Sequence, residues 1–381
     1  MTMAARSAAW PCRYRSGRPE CVGYLRNPRD ELTGCGALAS SMDQLERAVV
    51  QLWEAKRLAQ WEDIAHGRLA LLLLDNAAET SLRRTAETNL LFADMYDNMA
   101  YLLRDVVPGD EEGQKLKLEF EAAALSRHQK RQIERHFDSL VDHVFEMDSF
   151  ALSTEFADCL KILHRYRNAA YHRDTVHADV LGPAVRIQFF LCCHLLKNER
   201  QMVAEISKAP ASILEVFGVR PPEPFLGGAF NTATLASHVA DRMLDELHLD
   251  HRGIVAALSI HLLARLAALD RDLAAIEEAM PLGVTRRTTL RLVQQAPRER
   301  EDFEAGPSAD FWTRPLPITE EVIEAWTVAA QNLRDIPVAH RGLREFAQIE
   351  EPLATIEEPV ARFIEDIDRE EQRRIDEARG K

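Results

Sequence analysis

From Met42 onward, the apolar residues of this chain recur at helical spacing, and this constrains its fold more than any other feature. In the segment Ser153–Val176, Phe156, Leu160, Leu163 and Ala170 fall on one helical stripe. Residues 43–65 carry Leu45, Val49, Leu52, Leu58 and Ile64 in the same manner, and Ile254–Ala279 is strongly apolar on one face. Alternating runs of Val, Ile and Thr, the mark of a half-buried strand, are scarce. Leu, Ala, Glu and Arg dominate, all strong helix formers. The expectation is an all-α protein, organised as a helical bundle with a long helical insert and followed by a second helical region.

The 381 residues suggest two or three domains. Residues 1–41 hold six arginines (Arg6, Arg13, Arg15, Arg18, Arg26 and Arg29) against Glu20, Asp30 and Glu31, and lack an apolar period. They are expected to be a disordered N-terminal segment, with Met42 opening the folded protein. Residues 42–207 form the first helical domain. Within it, 43–65 reads as a helix, 66–104 as two further runs, and Glu111–Phe150 as one long charged helix or a hairpin of two. Ser153 supplies an N-cap, with Glu155 in the first turn where a carboxylate suits the helix dipole. That helix runs to about Tyr171, and another covers Val180–Leu196. Residues 208–231, with Pro210, Pro221, Pro222, Pro224 and the Gly227–Gly228 pair, read as a linker. A second helical domain spans 232–349, and 350–381 reads as a charged, solvated helical tail.

Several classes of function are disfavoured. The longest strongly apolar run, Leu69–Leu74, is far short of the roughly 20 residues that span a bilayer, so no membrane partner is expected. The six cysteines show no CxxC or paired Cys/His spacing, which fits a reduced, cytoplasmic compartment and no resident metal or cofactor. No P-loop, GxSxG or glycine-rich dinucleotide loop is present. The formal net charge of −14 opposes nucleic-acid binding through the overall field, so a nucleic-acid site would need a local basic patch.

Such a patch occurs in the run His164, Arg165, Arg167, His172 and Arg173, set against Asp174 alone. Arg167 falls on the apolar stripe, where an arginine must be paired, sit at an interface or line a cleft. His172 follows five residues later, about 140° away on a straight helix. Asn168 can bond a phosphate or orient a neighbour, and Tyr171 lies beside the pair. Upstream, Asp75, Glu79 and Arg83 share one helix face at i, i+4 and i+8. They form either a solvated salt-bridged stripe or a support that orients Arg167 or His172.

The sequence Arg167-Asn168-Ala169-Ala170-Tyr171-His172 resembles the R-x4-6-H motif of the HEPN superfamily, a polar residue often following the arginine at the end of a core helix. Arg131/His136, Arg242/His248, Arg334/His340 and Arg165/His172 also fit the bare spacing. Only the Arg167 match has Asn next, ends an apolar helix and precedes another. The upstream run His66–Arg84 is similar to the first core helix of many HEPN domains. The resemblance covers roughly residues 43–200. It implies a dimerising helical bundle that, in active members, cleaves RNA without a metal: Arg167 and His172 catalytic with Asn168, and Asp75, Glu79 and Tyr171 supporting. A homodimer, an RNA substrate, an antitoxin or regulatory protein partner, and a role as toxin or defence effector follow as expectations. The alternative is a non-catalytic HEPN-like module that binds a protein or nucleotide.

Overall fold

The structure is a computed structural model describing residues 33–61, 63–105, 110–147, 149–150, 152–172, 178–198, 205–206, 213, 230–280, 284–294 and 309–380. The chain is all-α. The described residues contain a single pair of two-residue strands, β1 (Glu205–Ile206) and β2 (Phe230–Asn231), antiparallel to each other. Met1–Ser41 and Met42–Lys381 form separate compact units. Of the expected irregular segment 1–41, residues 1–32 lie outside the described residues, and the chain is helical from Thr33.

The helices of the first half are α1 (Thr33–Ala59), α2 (Ile64–Leu102), α3 (Glu111–Ala123), α4 (Arg127–Arg135), α5 (Phe137–Glu146), α6 (Thr154–His172) and α7 (Ala178–Asn198). Where two runs were expected over 66–104, a single 39-residue helix stands, because no glycine or proline interrupts it after Gly67. Asp63 starts it by accepting from the His66 N–H at 2.9 Å. Where Glu111–Phe150 suggested one helix or a hairpin, three short helices occur. Ser126 and Gln129 form a reciprocal capping box that begins α4, and His136 adopts extended backbone between α4 and α5.

The second half comprises α8 (Thr232–Leu247), α9 (His251–Ala279), α10 (Arg286–Val293), α11 (Ala309–Thr313), α12 (Glu320–Asn332), a 3-10 turn at Leu333–Asp335, and α13 (Ala339–Ala378). Nearly all of the expected linker 208–231 lies outside the described residues, but the helices on either side of it share one core. α7 packs on α8 and α9, and α6 packs on α13. Residues 42–381 are accordingly one unit rather than two domains and a tail. The tail reading fails for a specific reason. Leu353, Ile356, Val360 and Phe363 recur at helical spacing among the charges and are buried.

Close approach of helices fixes the arrangement at two glycines. A Cβ on Gly342 of α13 would lie 2.6 Å from Val255 Cγ2 of α9, and one on Gly67 of α2 would lie 2.9 Å from Leu181 Cδ2 of α7. Further along the same pair, Cys192 Sγ donates to Leu74 O at 3.2 Å, so α2 and α7 run parallel. By length and composition α7 and α9 are each apolar enough to cross a bilayer. Core helices pass the same test, and 67% and 44% of their apolar windows are buried within the protein. Scattered polar residues such as Arg186 and Gln188 kept these helices from reading as uninterrupted apolar runs.

Candidate functional site

α2, α5 and α6 meet around a single buried acid. Asp75 is fully buried between Leu71, Leu74 and Ala78, a position that would be very costly for an unpaired charge. It is supported from α6. Arg167 Nε donates to Asp75 Oδ2 at 2.7 Å, and Nη2 lies 2.6 Å from the same oxygen. His164, one turn earlier on α6, places Nδ1 3.1 Å from both carboxylate oxygens. The His164 ring lies flat on Phe137 of α5, centroids 3.9 Å apart.

The ladder continues along α2. Glu79 Oε2 is 3.5 Å from Arg167 Nη2, and Glu79 Oε1 accepts from Arg83 Nε at 2.8 Å. Arg83 Nη1 in turn donates to Glu134 O at 2.9 Å, tying α2 to α4. The common face expected for Asp75, Glu79 and Arg83 is thus present, and it faces the motif helix. Asn168 orients a neighbour: its Oδ1 accepts from Arg167 Nη1 at 2.8 Å.

Positions 167 and 172 do not share one face of α6. α6 stays helical through His172, so the backbone directions at 167 and 172 diverge by about 140° on a regular helix. The His172 side chain lies outside the described residues. Tyr171 is exposed, at 66%. On the stripe that carries Arg167, Phe156, Leu160 and Leu163 are buried within the chain, while Arg167 keeps 22% of its side chain exposed. Among the described residues, the large exposed apolar side chains cluster instead on the second half of α2, at Leu91, Phe92, Met95, Met99 and Leu102.

Of the basic run, Arg165 and Arg167 meet acids from other helices, as does the nearby Lys161. Arg165 pairs with Glu351 at 3.6 Å, Arg167 with Asp75 and Glu79, and Lys161 with Asp142. These acids come from α13, α2 and α5, which a reading of charge along the chain does not see. Tyr166 OH donates to Glu350, and burial followed by the Glu350 charge pushes the phenol well above its ordinary range. In two of the alternative spacing matches one member is engaged elsewhere: Arg242 pairs with Glu246, and His340 is buried against Phe156 and Phe190.

Sequence reasoning missed His164 as a member of the site. Its signal is its position three residues before Arg167, on the same helix face. Asp75, Glu79 and His164 also place ligand atoms within 4.8 Å of one another, a spacing able to hold a metal ion. The Arg167 guanidinium already lies against both carboxylates, so a divalent cation there would have to displace it. Comparison with protein-family models, with curated proteins and with solved structures finds no match.

Proposed function

We propose that this protein is an endoribonuclease of HEPN type in which Asp75 positions Arg167 for phosphate binding. One observation carries the reading. Arg167 is held by a buried acid, yet its side chain keeps 22% exposure and an unused donor. A guanidinium has five N–H donors: three are engaged by Asp75 and Asn168, a fourth is faced by Glu79 at 3.5 Å from Nη2, and one on Nη1 is left over. The remainder suits a phosphate oxygen, and the fixed fork would stabilise charge developing on a phosphorane. RNA supplies its own nucleophile, the 2′-hydroxyl, and His172 would move the proton. The divergence of 167 and 172 along α6 favours a site completed by a second copy across a two-fold axis. A cytoplasmic toxin or defence effector, held in check by a regulatory protein, fits such an activity.

The test is incubation of single-stranded RNA with the protein in EDTA, followed by analysis of fragment ends. Fragments ending in 2′,3′-cyclic phosphate are expected, and sedimentation should give a dimer at micromolar concentration. Intact RNA would overturn the reading. A non-catalytic helical module that binds a protein or nucleotide is the second reading. It is favoured by the two carboxylates that balance Arg167 and by the pairing of Arg165 and Lys161.

A further inference from the structure

The turn between α1 and α2, together with the first turns of α2 and α7, encloses a hollow of about 270 Å³. Leu58, Ile64, Leu181 and Val185 supply its apolar walls, and Asp63 and Arg186 its polar groups. A second hollow of about 430 Å³ shares Ala59, Val185 and Arg186 with the first and reaches Phe189 and the α8–α9 turn. Together they are of the size that takes a small organic ligand. The lining is open at Gly182, where a Cβ would meet nothing within 4 Å.

The charges around the hollows separate into engaged and free. Asp63 accepts from the His66 N–H and lies 2.6 Å from His66 Nδ1. Glu246 is held by Lys56 and by Arg242. Those two acids are therefore balanced by their own partners. Arg186, on the rim common to both hollows, is exposed, and among the described residues it makes no hydrogen bond or ion pair. A guanidinium left open beside an apolar hollow is a receptor for a phosphate. In the same turn Trp61 is 67% exposed. Its indole stacks on the His66 ring, centroids 5.2 Å apart and planes 16° apart, and Asp63 fixes that imidazole in turn. One indole face is thus backed while about two thirds of the residue stays exposed, which suits a base-stacking platform.

We propose that the rim of this hollow, together with Trp61 in the turn that borders it, is a nucleotide subsite, with a base stacked on Trp61 and a phosphate held by Arg186. The substrate assignment rests on the RNA-cleavage reading above, whereas the geometry does not. The subsite adjoins the N-terminal end of α2, the helix that carries Asp75. α7 begins at Ala178, six residues after the end of α6 at His172. Along α2, Ile64 and Asp75 are eleven residues apart, about 17 Å, a span that a few nucleotides of a single strand can bridge.

The test uses the full chain with two probes, AMP and a short fluorescein-labelled single-stranded RNA in EDTA. The RNA is measured on the His172→Ala protein so that cleavage does not intervene. Trp61→Ala and Arg186→Ala should each weaken binding about tenfold, the loss expected for one stacked base or one phosphate contact. Both residues are exposed, so their thermal midpoints should match wild type. In the cleaving protein these two changes should raise KM and leave kcat unchanged. If AMP binds with the same dependence on both residues, the site takes free nucleotides. If only the RNA does, it takes a residue of a strand. Either result supports the subsite, even where the wild type leaves RNA intact and the cleavage reading falls. Binding of both probes by both variants as tightly as by wild type would overturn it, whether or not the protein cleaves.

Discussion

The guanidinium of Arg167 lies 2.6 Å from the carboxylate of Asp75, a fully buried acid 92 residues earlier in the chain. A buried ion pair of this kind is a weak source of net stability, because desolvation offsets the Coulomb gain. Losing one member is another matter, since it strands the other. Asp75→Ala should lower unfolding free energy by about 3–5 kcal/mol in denaturant titration. The double variant Asp75→Ala/Arg167→Met should lose less than the sum of the two single changes. Additive losses would mean that the two side chains do not depend on each other.

Acid should loosen the joint between α6, α7 and α13. His340 is packed against Phe156 and Phe190, with its Nδ1 buried and without a hydrogen-bond partner. Burial pushes its pKa down from 6.5 to about 4, with Glu155 opposing and Arg341, His251 and His194 assisting. The unfolded chain therefore takes this proton more readily than the folded one. The stability associated with neutral His340 is complete above about pH 6.5 and drains as pH falls towards 4. His194 and His143, also lowered chiefly by burial, act in the same direction. Thermal midpoints measured across this range should fall for wild type and fall less for His340→Leu. Equal slopes would assign the acid sensitivity to other groups.

The two halves of the chain should unfold together. Arg265 of α9 bonds Glu357 of α13 at 2.9 and 2.6 Å and lies 3.3 Å from Glu350, which also accepts from Tyr166 on the motif helix. Only 10% of the Arg265 side chain is exposed. Arg265→Ala should cost about 3 kcal/mol, since it leaves two carboxylates facing each other in a partly buried site. Denaturation followed by near-ultraviolet and far-ultraviolet circular dichroism should give one coincident transition. Two separated transitions would restore the two-domain expectation.

What could be read from the sequence was periodic and local. The stripe Phe156–Leu160–Leu163 marked α6 as a core helix, and Asp75, Glu79 and Arg83 were placed on one face of α2 before any contact was known. Their partners were not legible, because Asp75 meets Arg167 only through packing of α2 on α6. For the same reason Arg165 and Arg167 look free in the sequence, although their acids arrive from α13 and α2. In residues 111–150, read as one long helix or a hairpin of two, the capping box at Ser126 starts a separate helix. Beyond Glu350 the density of charge masked the buried residues Leu353, Ile356, Val360 and Phe363. The hollow near Trp61 is assembled from two segments, 58–67 and 178–186, far apart in sequence, and no single stretch announces it.

The most direct test of the central claim is the rate at which end-labelled single-stranded RNA is cut in EDTA. Wild type should be compared with His172→Ala, Arg167→Lys and Asp75→Asn below the midpoint of each variant. Wild type should cut, leaving cyclic phosphate ends. Arg167→Lys should lower kcat about 10²–10³-fold, because an ammonium cannot reproduce the planar fork. His172→Ala should lower it at least about 10²-fold through loss of proton transfer. Asp75→Asn should reduce kcat more than it raises KM, as expected of a residue that positions Arg167 without touching RNA. A wild-type protein that leaves every RNA intact, or a His172→Ala variant that cuts as fast as wild type, would contradict the account.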